Sequence, residues 1–238
     1  MLVQWLLKTQ KAMDNIPTRD QVDAAYLNPG IFVDSDHADV KAFAAQHTHA
    51  GMDDREKAVA LYYAVRDGFR YDPYNLDMTP QGLKASDLTQ RDYGYCIEKA
   101  NLLAAAGRAV GIPSRLGFAN VRNHIGVDKF MQALQTDVLV FHGYTELWVG
   151  DLWVKATPAF NKELCAKFNV APLEWDGTED SMFQEFNDSG EQYMEYLHWY
   201  GTFADVPREL LLKELAHHYP HLFEAITKGT ATFLNFKA

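Results

Sequence analysis

The segment that most constrains the fold of this chain is CIEKANLLAAAGRAVGI, residues 96–112, because small and apolar residues occupy most of its length. Good helix formers begin at Cys96, Gly111 interrupts them, and Pro113 prevents the helix from continuing. A helix that is apolar on most of its sides has to be covered by other elements on most of those sides. The sequence therefore predicts a helix that begins at Cys96 and lies buried in the core.

Further helices and strands are predicted around this segment. Residues 38–47 form a predicted helix capped by Ser35 or Asp36, and residues 53–69 form a second one with apolar residues at helical spacing. Residues 114–121 form a predicted strand, and the two β-rich runs that flank Gly150-Asp151 form a predicted hairpin. Helices that precede strands in this way are typical of the α+β class.

The sequence contains no repeat, no low-complexity segment and no linker that would separate a second domain. We therefore predict a single domain over residues 1–238. Its core covers about residues 35–161, and residues 162–238 form a helical C-terminal extension. The best-defined helix of that extension lies within VPRELLLKELAHHY, residues 206–219.

The composition limits which class of protein this chain can belong to and which partners it can bind. The chain has 238 residues, of which 47% are hydrophobic, so it can bury a core without disulfides or metals. Its net charge of −10 and its lack of a basic run argue against nucleic acid and anionic membranes as partners. Two cysteines make no disulfide framework, and a reducing cytoplasm is the expected compartment. Residues 1–10 lack the features of a signal peptide, and no apolar run is long enough for a membrane span.

Cys96 and His142 are the candidate catalytic residues. A thiol at a helix N-terminus lies at the positive end of the helix dipole, next to free backbone N–H groups that favour a thiolate and hold an oxyanion. His142 lies inside the otherwise apolar strand segment VLVFHGYTELWV. Taken alone, Cys96 is more often a structural cysteine, and His142 is as often a satisfied core histidine. Together, a nucleophile and a base favour a catalytic site.

Two segments resemble the transglutaminase-like superfamily. YGYCIEKANLLAAAGRAVGIPSR, residues 93–115, resembles the nucleophile segment, and HGYTELWVGDLWVKATPAF, residues 142–160, resembles the histidine segment. The resemblance extends over about residues 35–161. It implies a papain-like fold in which the helix bearing the nucleophilic cysteine packs on an antiparallel sheet bearing the histidine. It also implies that Cys96 is the nucleophile and His142 the base.

One position departs from the family pattern. The family usually places an aspartate fifteen residues after the histidine, and this sequence has Thr157 there. An aspartate orients the imidazole and stabilises its charged form, whereas a threonine can only hydrogen-bond. We expect Thr157 to be the orienting residue, with Asn161 as the alternative. Glu146 also matches a frequent family residue and is expected to support the structure or the substrate.

The expected function is cysteine-dependent acyl transfer through a thioester. Hydrolysis of a peptide or amide bond is favoured over transamidation, and the partner is therefore a peptide, protein or amide substrate. The alternative is a binding or scaffold protein with weak or lost catalysis, which the change to Thr157 motivates. No cofactor is expected, because the sequence has no glycine-rich phosphate loop after a strand. No zinc or calcium motif is present, and the sequence leaves the natural substrate and the oligomeric state open.

Overall fold

One buried helix and one antiparallel sheet form the centre of the structure. The structure is a computed structural model, and it describes residues 18–124, 134–183 and 194–222. The helices are α1 (Ala38–His47), α2 (Asp54–Gly68), α3 (Ala85–Leu88), α4 (Cys96–Ala109), α5 (Lys162–Phe168) and α6 (Arg208–His218). The strands are β1 (Arg70–Tyr71), β2 (Tyr93–Gly94), β3 (Ser114–Asn123), β4 (Val138–Val149), β5 (Leu152–Ala156) and β6 (Met194–Phe203). Residues 1–10, which were expected not to be a signal peptide, lie outside the described residues.

The sheet has four strands in the order β5-β4-β3-β6, and all neighbours are antiparallel. β1 and β2 form a separate parallel pair just before α4. The longest pairing joins β3 to β4, from Ser114 opposite Leu147 to Arg122 opposite Val138. The predicted α+β class, with the cysteine-bearing helix packed on the histidine-bearing sheet, is confirmed.

The predicted central helix is confirmed as α4. Every side chain from Cys96 to Arg108 is buried, as its composition requires. Its closest neighbour is β4, where the Thr145 hydroxyl donates to the carbonyl of Ala100 at 2.8 Å. The helix ends before Gly111, whose φ of +85° lies in the left-handed region that glycine adopts without strain. Helix and sheet therefore share one continuous core.

The other predicted helices follow from their capping residues. α2 begins after Asp53, which accepts from the N–H of Glu56 at 2.8 Å and completes a reciprocal capping box. Its apolar stripe, Ala58, Leu61, Tyr62 and Val65, is fully buried. α1 has the predicted bounds, but its N-cap is His37 rather than Ser35 or Asp36.

The predicted hairpin is the connection between β4 and β5. Val149 pairs with Leu152, so Gly150 and Asp151 form a two-residue turn. Both have positive φ, 59° and 62°, the combination that a type I′ turn requires. This turn sets the register that brings Thr157 to the end of β5.

The C-terminal part of the chain differs from the prediction. α5 and α6 are helical as expected, but β6 is a strand that pairs along β3 at the edge of the central sheet. A purely helical extension over residues 162–238 is therefore wrong, and the sheet crosses the predicted boundary at residue 161. Four of the ten residues of β6 are exposed and only one is fully buried, so its apolar residues do not mark a buried strand in the sequence. Within the described ranges, no helix combines the length and apolar character of a membrane span.

Candidate active site

Cys96 is the first residue of α4 and follows directly on the short strand β2. Tyr95 is the N-cap, and its backbone N–H donates to Glu98 Oε2 at 2.7 Å. The φ of Gly94 is not positive, so the conformational freedom of glycine is not the reason for a glycine at this position. A Cβ there would lie 2.7 Å from Leu88 Cδ1, which shows that the glycine is needed for close packing. The strand, the cap and the helix together fix the position of the thiol.

The Cys96 thiol is fully buried. Burial raises its pKa to about 12, although the backbone N–H groups of Gly143 and Ile97 and the side chain of Tyr95 act in the opposite direction. The expectation that the helix N-terminus lowers the pKa of Cys96 is therefore wrong for the described structure. Loss of water around the sulfur outweighs the helix dipole, since a charge without solvent has a high free energy.

His142 lies in β4 opposite Ala119, and only 1% of its surface is exposed. Its ring packs on Phe183 with centroids 5.3 Å apart. Neither Nδ1 nor Nε2 has a hydrogen-bond partner among the residues that the structure describes. Burial lowers the pKa of His142 to about 4, so the imidazole is neutral at pH 7. Since buried polar groups are normally paired, these two nitrogens mark an unusual position.

The backbone brings the His142 segment of β4 against the first turn of α4. The contact is made by Gly143, where a Cβ would lie 3.0 Å from Ile97 Cα and 3.3 Å from the carbonyl oxygen of Cys96. Only a residue without a side chain permits this approach. The N–H of Gly143 also donates toward the Cys96 sulfur. The predicted nucleophile and base thus lie on adjoining segments, but no hydrogen bond joins the imidazole to the thiol.

Thr157 does not make the hydrogen bond that an orienting residue needs. It is buried, its Oγ1 lies 3.3 Å from Met182 Sδ, and its carbonyl accepts from the Tyr62 hydroxyl at 3.3 Å. The ring nitrogens of His142 remain unpaired among the described residues. The role of Thr157 therefore stays a prediction, without the contact that would support it.

The other two candidates, Asn161 and Glu146, have structural partners. Asn161 Oδ1 accepts from the N–H of Tyr71 at 3.0 Å, and its Nδ2 donates to Glu163 at 2.7 Å. Glu146 accepts from two nitrogens of Arg115, at 2.7 and 2.6 Å. Asn161 thus joins β1 to the start of α5, and Glu146 forms an ion pair across β3 and β4, as its expected supporting role implies.

Aromatic rings surround one side of the site in a continuous chain. Its members are Tyr95, Tyr71, Phe160, Phe183 and His142, and neighbouring centroids lie between 4.8 and 5.7 Å apart. The chain starts at the residue before the nucleophile and ends at the candidate base. It makes the surroundings of both groups apolar and explains the direction of both pKa shifts.

One charged residue near the nucleophile was not singled out from the sequence. Lys99 lies one turn after Cys96 and has no exposed surface. Its Nζ donates to the carbonyl oxygens of Arg66, Phe69 and Ala159 at 2.8, 2.7 and 2.8 Å. Burial lowers its pKa to about 7. A lysine in a helix usually reaches solvent, so its place in CIEK gives no local signal of burial.

Cys165 and His218 are not part of the site as it is described. Cys165 is buried in α5, where its sulfur lies 4.0 Å from the carbonyl oxygen of Phe160, and burial raises its pKa to about 11. His218 lies 3.9 Å from Glu214 on α6. Among the described residues, no group of three or more histidine, cysteine, aspartate or glutamate side chains is arranged to hold a metal ion.

Comparison with known proteins assigns residues 41–158 to a family. The model of the transglutaminase-like superfamily matches residues 41–158, which include both Cys96 and His142. A crystal structure of a putative cysteine protease from Cytophaga hutchinsonii matches with 14% sequence identity and a TM-score of 0.44. That match covers 75% of this chain and 53% of the other, so the chain spans about half the length of that protein. No curated protein matches. From the family match, this chain belongs to the transglutaminase-like superfamily.

Proposed function

We propose that this protein is a cysteine-dependent acyl-transfer enzyme, and that it hydrolyses a peptide or amide bond through a thioester on Cys96. The observation that carries the proposal is the pair of unpaired ring nitrogens on buried His142, on the segment that touches the first turn of α4. A core histidine kept only for packing normally has its nitrogens satisfied. A general base needs one nitrogen free for the proton of the nucleophile.

The chemistry follows from these positions. His142 takes the thiol proton as the sulfur attacks the substrate carbonyl, and the C–S bond forms while the carbonyl oxygen becomes an oxyanion. Backbone N–H groups at the start of α4 are available to that oxyanion. The intermediate collapses, the amine leaves with the proton from His142, and a thioester remains. Water, activated by His142, then releases the acid and restores the thiol.

The resting state in this mechanism is a neutral thiol and a neutral imidazole. Burial raises the pKa of Cys96 and lowers that of His142, so proton transfer between them is strongly uphill in the closed conformation. Substrate or water has to enter before the ion pair forms. Acyl transfer in this protein therefore requires a conformation in which the site is more open than in the described one.

The second candidate function is a binding or scaffold protein that has kept the fold and lost most of its catalysis. It is favoured by Thr157, whose hydroxyl contacts Met182 and not His142. Without a carboxylate partner, the imidazolium that forms during the reaction is less stable. This candidate predicts a protein with no acyl intermediate, even when substrate reaches the site.

The experiment is a comparison of Cys96→Ala with Cys165→Ala, each supplied with p-nitrophenyl acetate and with a mixture of peptide amides. The proposal predicts acyl thioester on Cys96 by mass spectrometry, and a loss of turnover of at least about a thousandfold in Cys96→Ala. Cys165→Ala is the matched control, since it also removes a buried thiol, and it should keep the activity of the wild type. Equal activity in the two variants would exclude the proposal that this protein is an enzyme that depends on Cys96.

A further inference from the structure

Lys99 is a buried charge that the chemistry described so far does not use. All three hydrogens of its ammonium group are donated to backbone carbonyl oxygens, those of Arg66, Phe69 and Ala159. A neutral amine has only two hydrogens and would leave one of these oxygens unpaired. The three contacts are therefore those of an ammonium ion and oppose the effect of burial, which lowers the pKa of Lys99 to about 7. Among the described residues, no carboxylate accepts from it.

The three acceptors belong to the elements that hold the site. Arg66 and Phe69 lie at the C-terminal end of α2, where the last carbonyls of a helix lack intrahelical partners and carry the negative end of the dipole. Ala159 lies two residues after Thr157, beside Phe160 of the aromatic chain. Lys99 thus joins α4 both to the end of α2 and to the segment that follows β5.

Charged and titratable groups around Lys99 come from three helices. Arg66 and Asp67 face it from α2, Cys165 faces it from α5, and Cys96 faces it from its own helix. Asp67 is already engaged, since it forms an ion pair with Arg66 at 2.8 Å and accepts from the N–H of Lys162 at 3.1 Å. The Lys99 charge therefore meets the carbonyl dipoles, the Arg66–Asp67 ion pair and the two sulfurs.

Resting on the proposed function of Cys96, we propose that Lys99 is a positioning residue for the nucleophile. Its ammonium places a positive charge one helical turn from Cys96, where it interacts with the sulfur and thereby lowers the free energy of the thiolate. Residues three positions apart share one face of a helix, so Lys99 and Cys96 are neighbours. Without the ammonium, the sulfur would lose this charge in a site that has no solvent to screen it.

Arg108 provides a matched control at the other end of the same helix. It is also a buried cation, and it also donates to backbone carbonyls, those of Asn28, Ser114 and Ala204. Twelve residues of helix separate it from Cys96, which corresponds to about 18 Å. Its removal disturbs the fold in a similar way, but its charge lies too far from the sulfur to stabilise a thiolate.

The test is the rate of iodoacetamide alkylation of Cys96 against pH, in Lys99→Met, Lys99→Gln and Arg108→Met. Alkylation reports the thiolate whether or not the protein turns over a substrate, so this inference can fail while the proposed function stands. We expect both Lys99 variants to label at least about tenfold more slowly at pH 7, a shift of at least one pKa unit. Arg108→Met should label no more slowly than the wild type.

Lys99→Gln keeps two N–H donors and removes only the charge, so it carries the test if Lys99→Met fails to fold. A Lys99→Gln protein that is folded by near-ultraviolet circular dichroism and labels as fast as the wild type, or faster, would overturn the inference. Lys99 would then be a structural contact whose loss merely opens the site. The same slowing in Arg108→Met would overturn it as well, because the effect would then not depend on a charge beside Cys96.

Discussion

Arg108 at one end of α4 and His142 beside the other end differ in whether their buried polar groups are paired. At the C-terminal end, Arg108 donates to three carbonyls and Ser114 donates to Ala104 at 2.6 Å, so these buried groups are satisfied. At the N-terminal end, Cys96 is a buried neutral thiol, and neither nitrogen of His142 has a partner among the described residues. Unpaired buried polar groups cost stability, so the N-terminal end has the character of a site kept for function.

The largest expected effect on stability is at the C-terminal end of α4, where the buried groups are hydrogen-bonded. Arg108→Met leaves the carbonyls of Asn28, Ser114 and Ala204 without their donor, and we expect it to lower the free energy of unfolding by about 3–5 kcal/mol. Urea denaturation measures this loss. A change below about 1 kcal/mol would contradict the assignment of this end as the structural one.

The next largest effect is the loss of folding stability at acidic pH. The folded-state pKa of His142, about 4, lies below its ordinary value of 6.5, so the unfolded chain binds more protons between these two pH values. Stability is therefore complete above pH 6.5 and is lost as the pH falls toward 4, by about 3 kcal/mol for this group. His142→Phe removes the titration and should flatten the unfolding free energy over this window. If the wild type and His142→Phe had parallel pH profiles, the histidine would not be buried as described.

His142→Phe also tests the comparison at pH 7. The variant replaces two unpaired nitrogens by a ring that can pack on Phe183, and we expect it to be more stable than the wild type by about 1–2 kcal/mol. Thermal unfolding at pH 7 measures the gain. A loss of stability would mean that the imidazole has a structural partner.

A smaller effect is expected where the two segments touch. In Gly143→Ala, the new Cβ would lie 3.0 Å from Ile97 Cα, which is too close for backbone atoms that cannot rotate away. We expect a loss of about 1–3 kcal/mol and a changed rate of Cys96 labelling. Gly68→Ala is a control, since a Cβ at Gly68 meets nothing within 4 Å.

The smallest expected effect is that of Thr157→Val. The hydroxyl contacts Met182, so its removal should cost about 1 kcal/mol or less and change the rate of Cys96 acylation by less than about twofold. Acylation by p-nitrophenyl acetate measures the rate. A loss of tenfold or more would show that Thr157 orients His142 during the reaction, as the family pattern implies.

Local chemistry explains which parts of the fold were predictable. The start of α4 at Cys96, its end before Gly111 and the turn at Gly150-Asp151 depend on capping and on positive φ, which short segments encode. β6 was missed because an edge strand with only one fully buried residue has no clear apolar pattern. Its place in the sheet depends on pairing with β3, which lies far away in sequence.

The contact between the two candidate segments was predictable, but the electrostatics of their residues were not. Cys96 and His142 could be chosen from segment resemblance, and the fold places their segments in contact. The raised pKa of Cys96 could not be predicted, because burial depends on tertiary packing by the aromatic chain and by β4. Lys99 was missed for the same reason, since its acceptors come from distant residues.

The most direct test of the central claim is the acylation of Cys96 by p-nitrophenyl acetate, followed by mass spectrometry, in the wild type and in His142→Ala. Our account predicts a thioester on Cys96 in the wild type, formed at least about tenfold more slowly when His142 is removed. Acylation of Cys96 at the same rate in both proteins, or no acylation of Cys96 at all, would contradict the pairing of these residues. Only the second outcome, no acylation at all, would favour a transglutaminase-like binding protein over an enzyme.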